Sequence, residues 1–339
     1  MKALPVIGWY GRRNSGDEAF REVHRLIFSD LPLTWLRPGS QAPFDPQVEA
    51  RDDLVLVSAG DVITSFYFDW IPPNAKIIVY GAGIAWDAEF EFLGSIKERL
   101  KAVWVRNECD VVPLKNLGIN AFYTPDIVFN LVPNITPIQK ESVRKRAYVM
   151  LTDSKRADAL RNNDLLRFTQ QQNFLWQLGE SLDFLAEWYQ LVFVPFSFDR
   201  NDFDLAAIYD LLPRLRNAQG RDEAEIIENE MEPLEMIRFC ASADIIVTTK
   251  FHGVVYSIMN EIPFVAVSDA RKVRLICEEN GFSDVCQPMI GANAEALKQA
   301  IVSAETPENR AKLVSVKRFL TSKAREEAHR MKSLVLGSP

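Results

Sequence analysis

Histidine and cysteine are scarce in this chain of 339 residues, three of the first and four of the second. His24, His252 and His329 lie far apart. Cys109, Cys240, Cys277 and Cys286 show none of the close pairing that metal sites use. No metal is expected, and the thiols read as reduced and buried, with the cytosol as their compartment. Positive charge is not in excess either. The net charge is −7, so nucleic acid is not an expected partner. No apolar run reaches 18 residues and no secretory pattern opens the sequence, so no membrane span is expected. A dinucleotide fingerprint is missing too: Gly8, Gly11 and Gly16 have the wrong spacing, and Asp17 and Glu18 would repel a pyrophosphate.

What is present is an alternation of short apolar runs and helical patterns. It is clearest from Ala243 to Gly281. Asp244–Thr248 suits a buried parallel strand and Val254–Asn260 a helix. Pro263–Val267 reads as a second strand, and Ala270–Asn280 as a second helix closed by Gly281. The two strand-to-helix loops carry Lys250 and His252, then Arg271 and Lys272. In an open parallel sheet such loops lie at the carboxyl edge, where ligands bind. Cations beside helix starts there suit a small anion, most simply a phosphate.

The amino-terminal half repeats the pattern. Leu4–Tyr10 reads as a strand running into GWYGRRNSGDEAF, and Asp17-Glu18 opens a helix with Phe20, Val23, Leu26 and Ile27 on its apolar face. Asn14, Ser15 and Asp17 suit the hydroxyl groups of a sugar. The two acids equally suit a helix dipole with no ligand at all. Strands are expected at 33–36, 54–58, 76–80 and 102–106, and helices at 88–101 and 109–117. Arg106, at a strand's carboxyl end, is a candidate anion ligand; the alternative is a surface ion pair. The pattern breaks between Thr124 and Arg146, where Pro125, Pro133 and Pro137 cluster, and a domain boundary belongs there. Beyond it come a strand at 147–151, a long helix over about 164–190 with a break near Gly179, and a strand at 191–196. The reading is α/β, with two doubly wound domains facing a cleft: residues 1–135, residues 136–305, and a basic amphipathic helix over 306–339. That last helix either packs on its own protein or lies on an anionic membrane surface.

These blocks resemble, in order, the polysaccharide pyruvyltransferase family. GWYGRRNSGDE (8–18) is similar to the family's Gly-Tyr-Tyr-Gly-x-x-Asn-x-Gly-Asp-Glu signature. VWVRNECDVVPLKNLGI (103–119) resembles its strand ending in Arg-Asp and the helix after it. TPD (124–126) resembles its Pro-Asp element, and KFHGVVYSIMNEIPFVAV (250–267) its Arg-x-His-Gly block with the following Gly-x-Pro strand. Lys272 falls at the family's lysine about twenty residues beyond that histidine. Departures are also present. Lys250 stands for Arg, Asn107 for Asp, Ser58-Ala59-Gly60-Asp61 for a glycine triplet, Trp86 for a common proline, and Arg12 for an aromatic.

The resemblance implies a GT-B-like pair of Rossmann-like domains. It implies transfer of the pyruvyl unit of phosphoenolpyruvate to two hydroxyls of a sugar, giving a cyclic ketal and phosphate, with no cofactor. It assigns the donor to Arg106, Lys250 and Lys272, with Arg12 compensating for the lysine at 250. Tyr10, Asn14 and Asp17 would take the acceptor, a sugar or a lipid-linked oligosaccharide. His252 would be the general acid that protonates the donor's methylene carbon, and Asp17 the base for a sugar hydroxyl. Alternatively His252 only donates a hydrogen bond to phosphate. A nucleotide-sugar glycosyltransferase and a catalytically silent sugar-binding relative are the competing functions. The expected location is cytoplasmic, with peripheral contact at the inner membrane surface if the last helix is used that way.

Overall fold

The computed structural model describes residues 2–36, 53–134, 144–152, 164–199, 204–217 and 222–337. The chain divides into two compact units. One comprises residues 1–12, 16–134 and 319–339, the other residues 13–15 and 135–318. The sequence division therefore falls at 134/135. The last helix, Pro307–Leu336, contributes residues up to 318 to the second unit and the rest to the first, so it is not a separate body. Of the expected linker, residues 135–143 lie outside the described set.

The first unit holds six strands: β1 (Leu4–Ile7), β2 (Leu33–Leu36), β3 (Leu54–Gly60), β4 (Lys76–Ala82), β5 (Leu100–Val105) and β6 (Ala121–Tyr123). They form one parallel sheet in the order β2-β1-β3-β4-β5-β6. Burial on both faces explains why the strands read as unbroken apolar runs; every residue of β3 is buried. One face packs Val55, Val57, Ile77, Val79, Val103 and Val105 against Leu93 and Leu114 from the flanking helices. Each such side chain is worth roughly 1.5–3 kcal/mol when fully buried. Trp104 donates its indole N–H to Glu327 of the last helix at 2.8 Å, and Leu320, Ala324, Ala328, Met331 and Val335 of that helix are buried. The helix's apolar stripe is thus covered by its own protein.

The second unit also has one parallel sheet, built from β7 (Lys145–Met150), β8 (Tyr189–Phe193), β9 (Glu225–Ile226), β10 (Ile245–Thr248), β11 (Phe264–Val267) and β12 (Cys286–Gln287). Its order is β12-β11-β10-β7-β8-β9. The sense of winding reverses between β1 and β3 in the first sheet and between β7 and β10 in the second. In doubly wound sheets ligands bind at the carboxyl ends of the strands flanking that reversal.

Several boundaries differ from those expected. β1 stops at Ile7, because Gly8 opens the loop and the Tyr10 side chain turns back into the core. Residues 88–101 are not one helix. The helix runs Asp87–Ser95, and Leu100 and Lys101 already belong to β5. The long helix Leu165–Leu185 passes through Gly179 unbroken. The glycine costs about 1 kcal/mol there, which the buried row Phe174, Leu175, Leu178, Leu182 and Leu185 offsets. The helix expected to start at Val254 starts at Phe251, so His252 is in its first turn instead of the loop before it.

Candidate active site

In the first unit, the loops after β1, β3, β4 and β5 share one edge of the sheet. Arg106, one residue past β5, is the centre of this cluster. Its guanidinium is bonded to the Asp61 carboxylate and lies 3.9 Å from Asp126; only 1% of the side chain is exposed. It is a buried ion pair and not the surface pair considered as an alternative. Gly83 makes room for it, since a Cβ on Gly83 would come within 2.5 Å of the guanidinium. The amide of Gly83 donates to the Gly60 carbonyl and that of Arg106 to the Ala82 carbonyl, both at 3.0 Å, which locks the three loops together. Asp61 remains 37% exposed on the open side.

Asp17 lies in the first turn of the helix Ser15–Ile27. Its carboxylate faces Gly60, 3.3 Å from where a Cβ would sit. Burial raises the pKa of the Tyr67 phenol, and the charges of Asp17 and Asp61 raise it further. The two carboxylates therefore share a neighbourhood at the β1/β3 reversal. The Arg12 guanidinium stacks over Trp9, 4.5 Å from the ring centre, while its amide donates to Glu18 at 3.1 Å. Next along the edge, the Glu89 carboxylate accepts from the amides of Ala85 and Trp86, and burial holds its pKa above the usual range. This clamp fixes the loop that carries Trp86, whose ring is 73% exposed.

In the second unit, β10 leads through Thr249 and Lys250 into the helix Phe251–Asn260. The Lys250 amide donates to Thr248 Oγ1 at 2.9 Å. Gly253 is required in this turn because a Cβ would meet the same Thr248 oxygen at 2.2 Å. The Lys250 ammonium pairs with Asp204 at 2.7 Å, and only 11% of its side chain is exposed. Asp204 also accepts from the amides of Phe196 at 3.0 Å and Ser197 at 2.8 Å. The His252 ring stacks on Phe196, with centroids 6.2 Å apart and planes 9° apart, and packs beside Phe251 and Tyr256. Lys272, in the first turn of the helix Arg271–Glu279, lies over the Phe251 ring at 6.0 Å. Residues 13–15 belong to this unit. Asn14 bridges to Ser197, the amide of Ser15 donates to Phe196, and the Tyr256 hydroxyl donates to the Ser15 carbonyl at 3.2 Å.

The sequence matches the model of one protein family, polysaccharide pyruvyl transferase, over residues 7–270. That is most of the chain, with the first cluster, Lys250 and His252 inside it and Lys272 two residues beyond its end. This protein belongs to the polysaccharide pyruvyl transferase family.

Membership makes it a transferase of polysaccharide pyruvylation with a sugar-containing acceptor. Solved structures agree on the architecture. The UDP-GlcNAc 2-epimerase of Methanocaldococcus jannaschii in complex with UDP-GlcNAc and UDP aligns over 95% of this chain and 100% of its own, at 13% identity and a TM-score of 0.61. The S. aureus MnaA–UDP co-structure aligns over 100% and 97%, at 11% identity and a TM-score of 0.62. A glycosyltransferase from Rickettsia africae aligns over all of both chains, at 12% identity and a TM-score of 0.52. At such identities the likeness is one of fold: α/β, with GT-B-like neighbours. No curated protein matches the sequence.

Lys250, His252 and Lys272 of this pyruvyl transferase come together at one edge of the second sheet, with Asn14 attached to the same unit. Arg12, Asp17 and Arg106 belong to the first unit. Tyr10 is the one expected acceptor ligand with no open face. It is 1% exposed, and its hydroxyl donates to the Ser58 carbonyl at 3.0 Å, so it braces β3 against the first loop. The carboxylates that neutralise the cations, Asp61, Asp126 and Asp204, were not singled out from the sequence as partners. Asp61 and Asp126 stood in quoted motifs, but Asp204 lies 46 residues from the lysine it pairs with and gave no signal. Among the described residues no group of three or more His, Cys, Asp or Glu is placed to hold a metal ion. No described helix is long and apolar enough to cross a membrane.

Proposed function

We propose that this enzyme transfers the pyruvyl unit of phosphoenolpyruvate to two hydroxyls of one sugar residue in a polysaccharide or its precursor. The observation that carries the reading is the edge at the β7/β10 reversal. There a helix amino terminus, a histidine in its first turn and two lysines meet in the chain of a pyruvyl transferase. A phosphate and a carboxylate on one small donor need several cations and backbone amides in a small volume. Asp204 fixes the direction of the Lys250 ammonium, and Lys272 supplies the second charge.

In this reading His252 delivers a proton to the donor's methylene carbon, which becomes a methyl group and leaves the central carbon electrophilic. A sugar hydroxyl forms a C–O bond to that carbon and gives its proton to a carboxylate, with Asp17 as the candidate. The bond between that carbon and the bridging phosphate oxygen then breaks, and phosphate departs with the electron pair. The second hydroxyl closes the ketal and loses its proton. One proton enters and two leave, so His252 is recharged and the other proton goes out with phosphate. The rigid stacking of His252 on Phe196 supports an acid held in one orientation. No cofactor takes part in this scheme.

The test is product analysis. Phosphoenolpyruvate and a glycan acceptor should give one inorganic phosphate per ketal formed. Release of a nucleoside diphosphate from a nucleotide sugar would identify a glycosyltransferase instead. Absence of either product across glycan acceptors would identify a sugar-binding relative.

A further inference from the structure

A cavity lies in the first unit, away from the loops just described. It has a volume of about 500 Å³ and is lined by Leu26, Ile27, Asn130, Arg325, Ala328, His329 and Lys332. That is within the range of small-molecule sites, roughly 300–1,000 Å³. Leu26 and Ile27 close the helix that Ser15 opens. A helix following a parallel strand runs back along it, so its end lies at the opposite edge of the sheet. The ten residues between Asp17 and Ile27 span about 15 Å of helix. The cavity is therefore separate from the Asp17 cluster.

Its lining is two-sided. Leu26, Ile27 and Ala328 give an apolar floor. Arg325, His329 and Lys332 occupy positions i, i+4 and i+7 of the last helix, which lie on one face. Lys332 is paired with Asp30 at 2.8 Å. Among the described residues Arg325 and His329 have no ion-pair or hydrogen-bond partner. The Arg325 guanidinium and the His329 ring thus offer N–H donors that an anion in the cavity can accept from. Elsewhere on this helix Lys323 and Arg330 are matched by Glu327.

We propose that this cavity is a second ligand site, for an amphipathic anion: a phosphate or diphosphate head bound by Arg325 and His329, with an alkyl chain on the Leu26, Ile27 and Ala328 floor. The occupant is a single amphiphile entering the cavity and not a bilayer surface. The proposal does not depend on the donor site.

Calorimetric titration of the full chain with dodecyl phosphate, below its micelle concentration, tests this. Dodecyl phosphate should bind at least tenfold more tightly than inorganic phosphate. The exposed pair Arg325→Ala/His329→Ala should weaken it at least tenfold, and Leu26→Ser about fivefold. The control pair Lys101→Ala/Lys115→Ala, exposed lysines of the same unit, should leave it unchanged. Equal binding of inorganic phosphate and dodecyl phosphate would overturn the amphipathic assignment. Unchanged binding in the Arg325/His329 variant, with its circular dichroism intact, would overturn the site. Flotation with phosphatidylglycerol vesicles that dodecyl phosphate fails to compete away would make the surface a membrane contact and also overturn the proposal.

Discussion

The two sheets are wound alike and carry opposite charge patterns at their reversals. At the first, Asp17 and Asp61 stand around an arginine that is already neutralised, with Asp126 behind it. At the second, Lys250, His252 and Lys272 gather about a helix amino terminus, with one buried carboxylate beneath them. Loops on a common scaffold can thus be suited to opposite chemistries, hydroxyl groups on one side and a small dianion on the other. The cations themselves differ. Arg106 uses its planar fork to tie two carboxylates into the sheet edge, whereas Lys250 is a point charge steered by one.

Removing the partners should separate the two edges most sharply. Asp204→Ala removes the buried carboxylate paired with the Lys250 ammonium and should cost about 3–5 kcal/mol of stability. Asp61→Ala leaves Arg106 with Asp126, and the lost carboxylate was part-exposed, so a cost of about 1 kcal/mol is expected. Denaturant titration of both variants checks the contrast, and equal costs would break it.

Chemistry should divide in the same way. His252→Gln keeps size and a hydrogen-bond donor but has no titratable proton. Turnover should fall about 100-fold or more with donor KM little changed, the scale for loss of a general acid. Normal turnover with a raised donor KM would make His252 a binding residue. Lys272→Ala should do the reverse, weakening the donor by about 1.5–3 kcal/mol, the worth of a charged contact, with a smaller effect on turnover. Steady-state kinetics in phosphoenolpyruvate at saturating acceptor reads both.

The first unit has a buried histidine, which shows how surroundings decide the role. His24 is fully buried beside Phe28 and Trp35. The Ser58 hydroxyl donates to the Tyr80 carbonyl at 3.0 Å, so its 2.6 Å bond with His24 must be donated by Nε2–H, as a neutral ring would. Burial lowers the His24 pKa to about 3. The folded value lies below the unfolded value of about 6.5, so this contribution to stability is complete above pH 6.5. It is lost as pH falls toward 3, by at most about 1.4 kcal/mol per pH unit. Denaturation midpoints between pH 7.5 and 5 should show this slope, and His24→Gln should flatten it.

Much of this was legible in the sequence because parallel strands buried on both faces leave unbroken apolar runs. The runs around β3, β4, β10 and β11 were read within two residues of their ends. The ends of β5 and β10 announced Arg106, Lys250 and His252, the last in a helix's first turn instead of the expected loop. Two kinds of fact were not legible. Long-range partners such as Asp204 for Lys250 and Glu327 for Trp104 are set by packing and leave no local pattern. Tyr10 sits in a ligand-type motif, yet its ring serves the core, because a loop turning back over a sheet edge can bury a side chain that spacing alone leaves exposed. The order of strands, and with it the position of each reversal, was not available from the sequence either.

In the proposed reaction the second edge protonates the methylene carbon of phosphoenolpyruvate on the way to a sugar ketal. Turnover in heavy water tests it most directly. A general acid in exchange with solvent should place one deuterium in the ketal methyl group, read by mass spectrometry and NMR, with one phosphate released per ketal. His252→Gln should lose the labelled product and the phosphate together. A ketal methyl without deuterium, or labelled ketal formed at the normal rate by His252→Gln, would contradict the account.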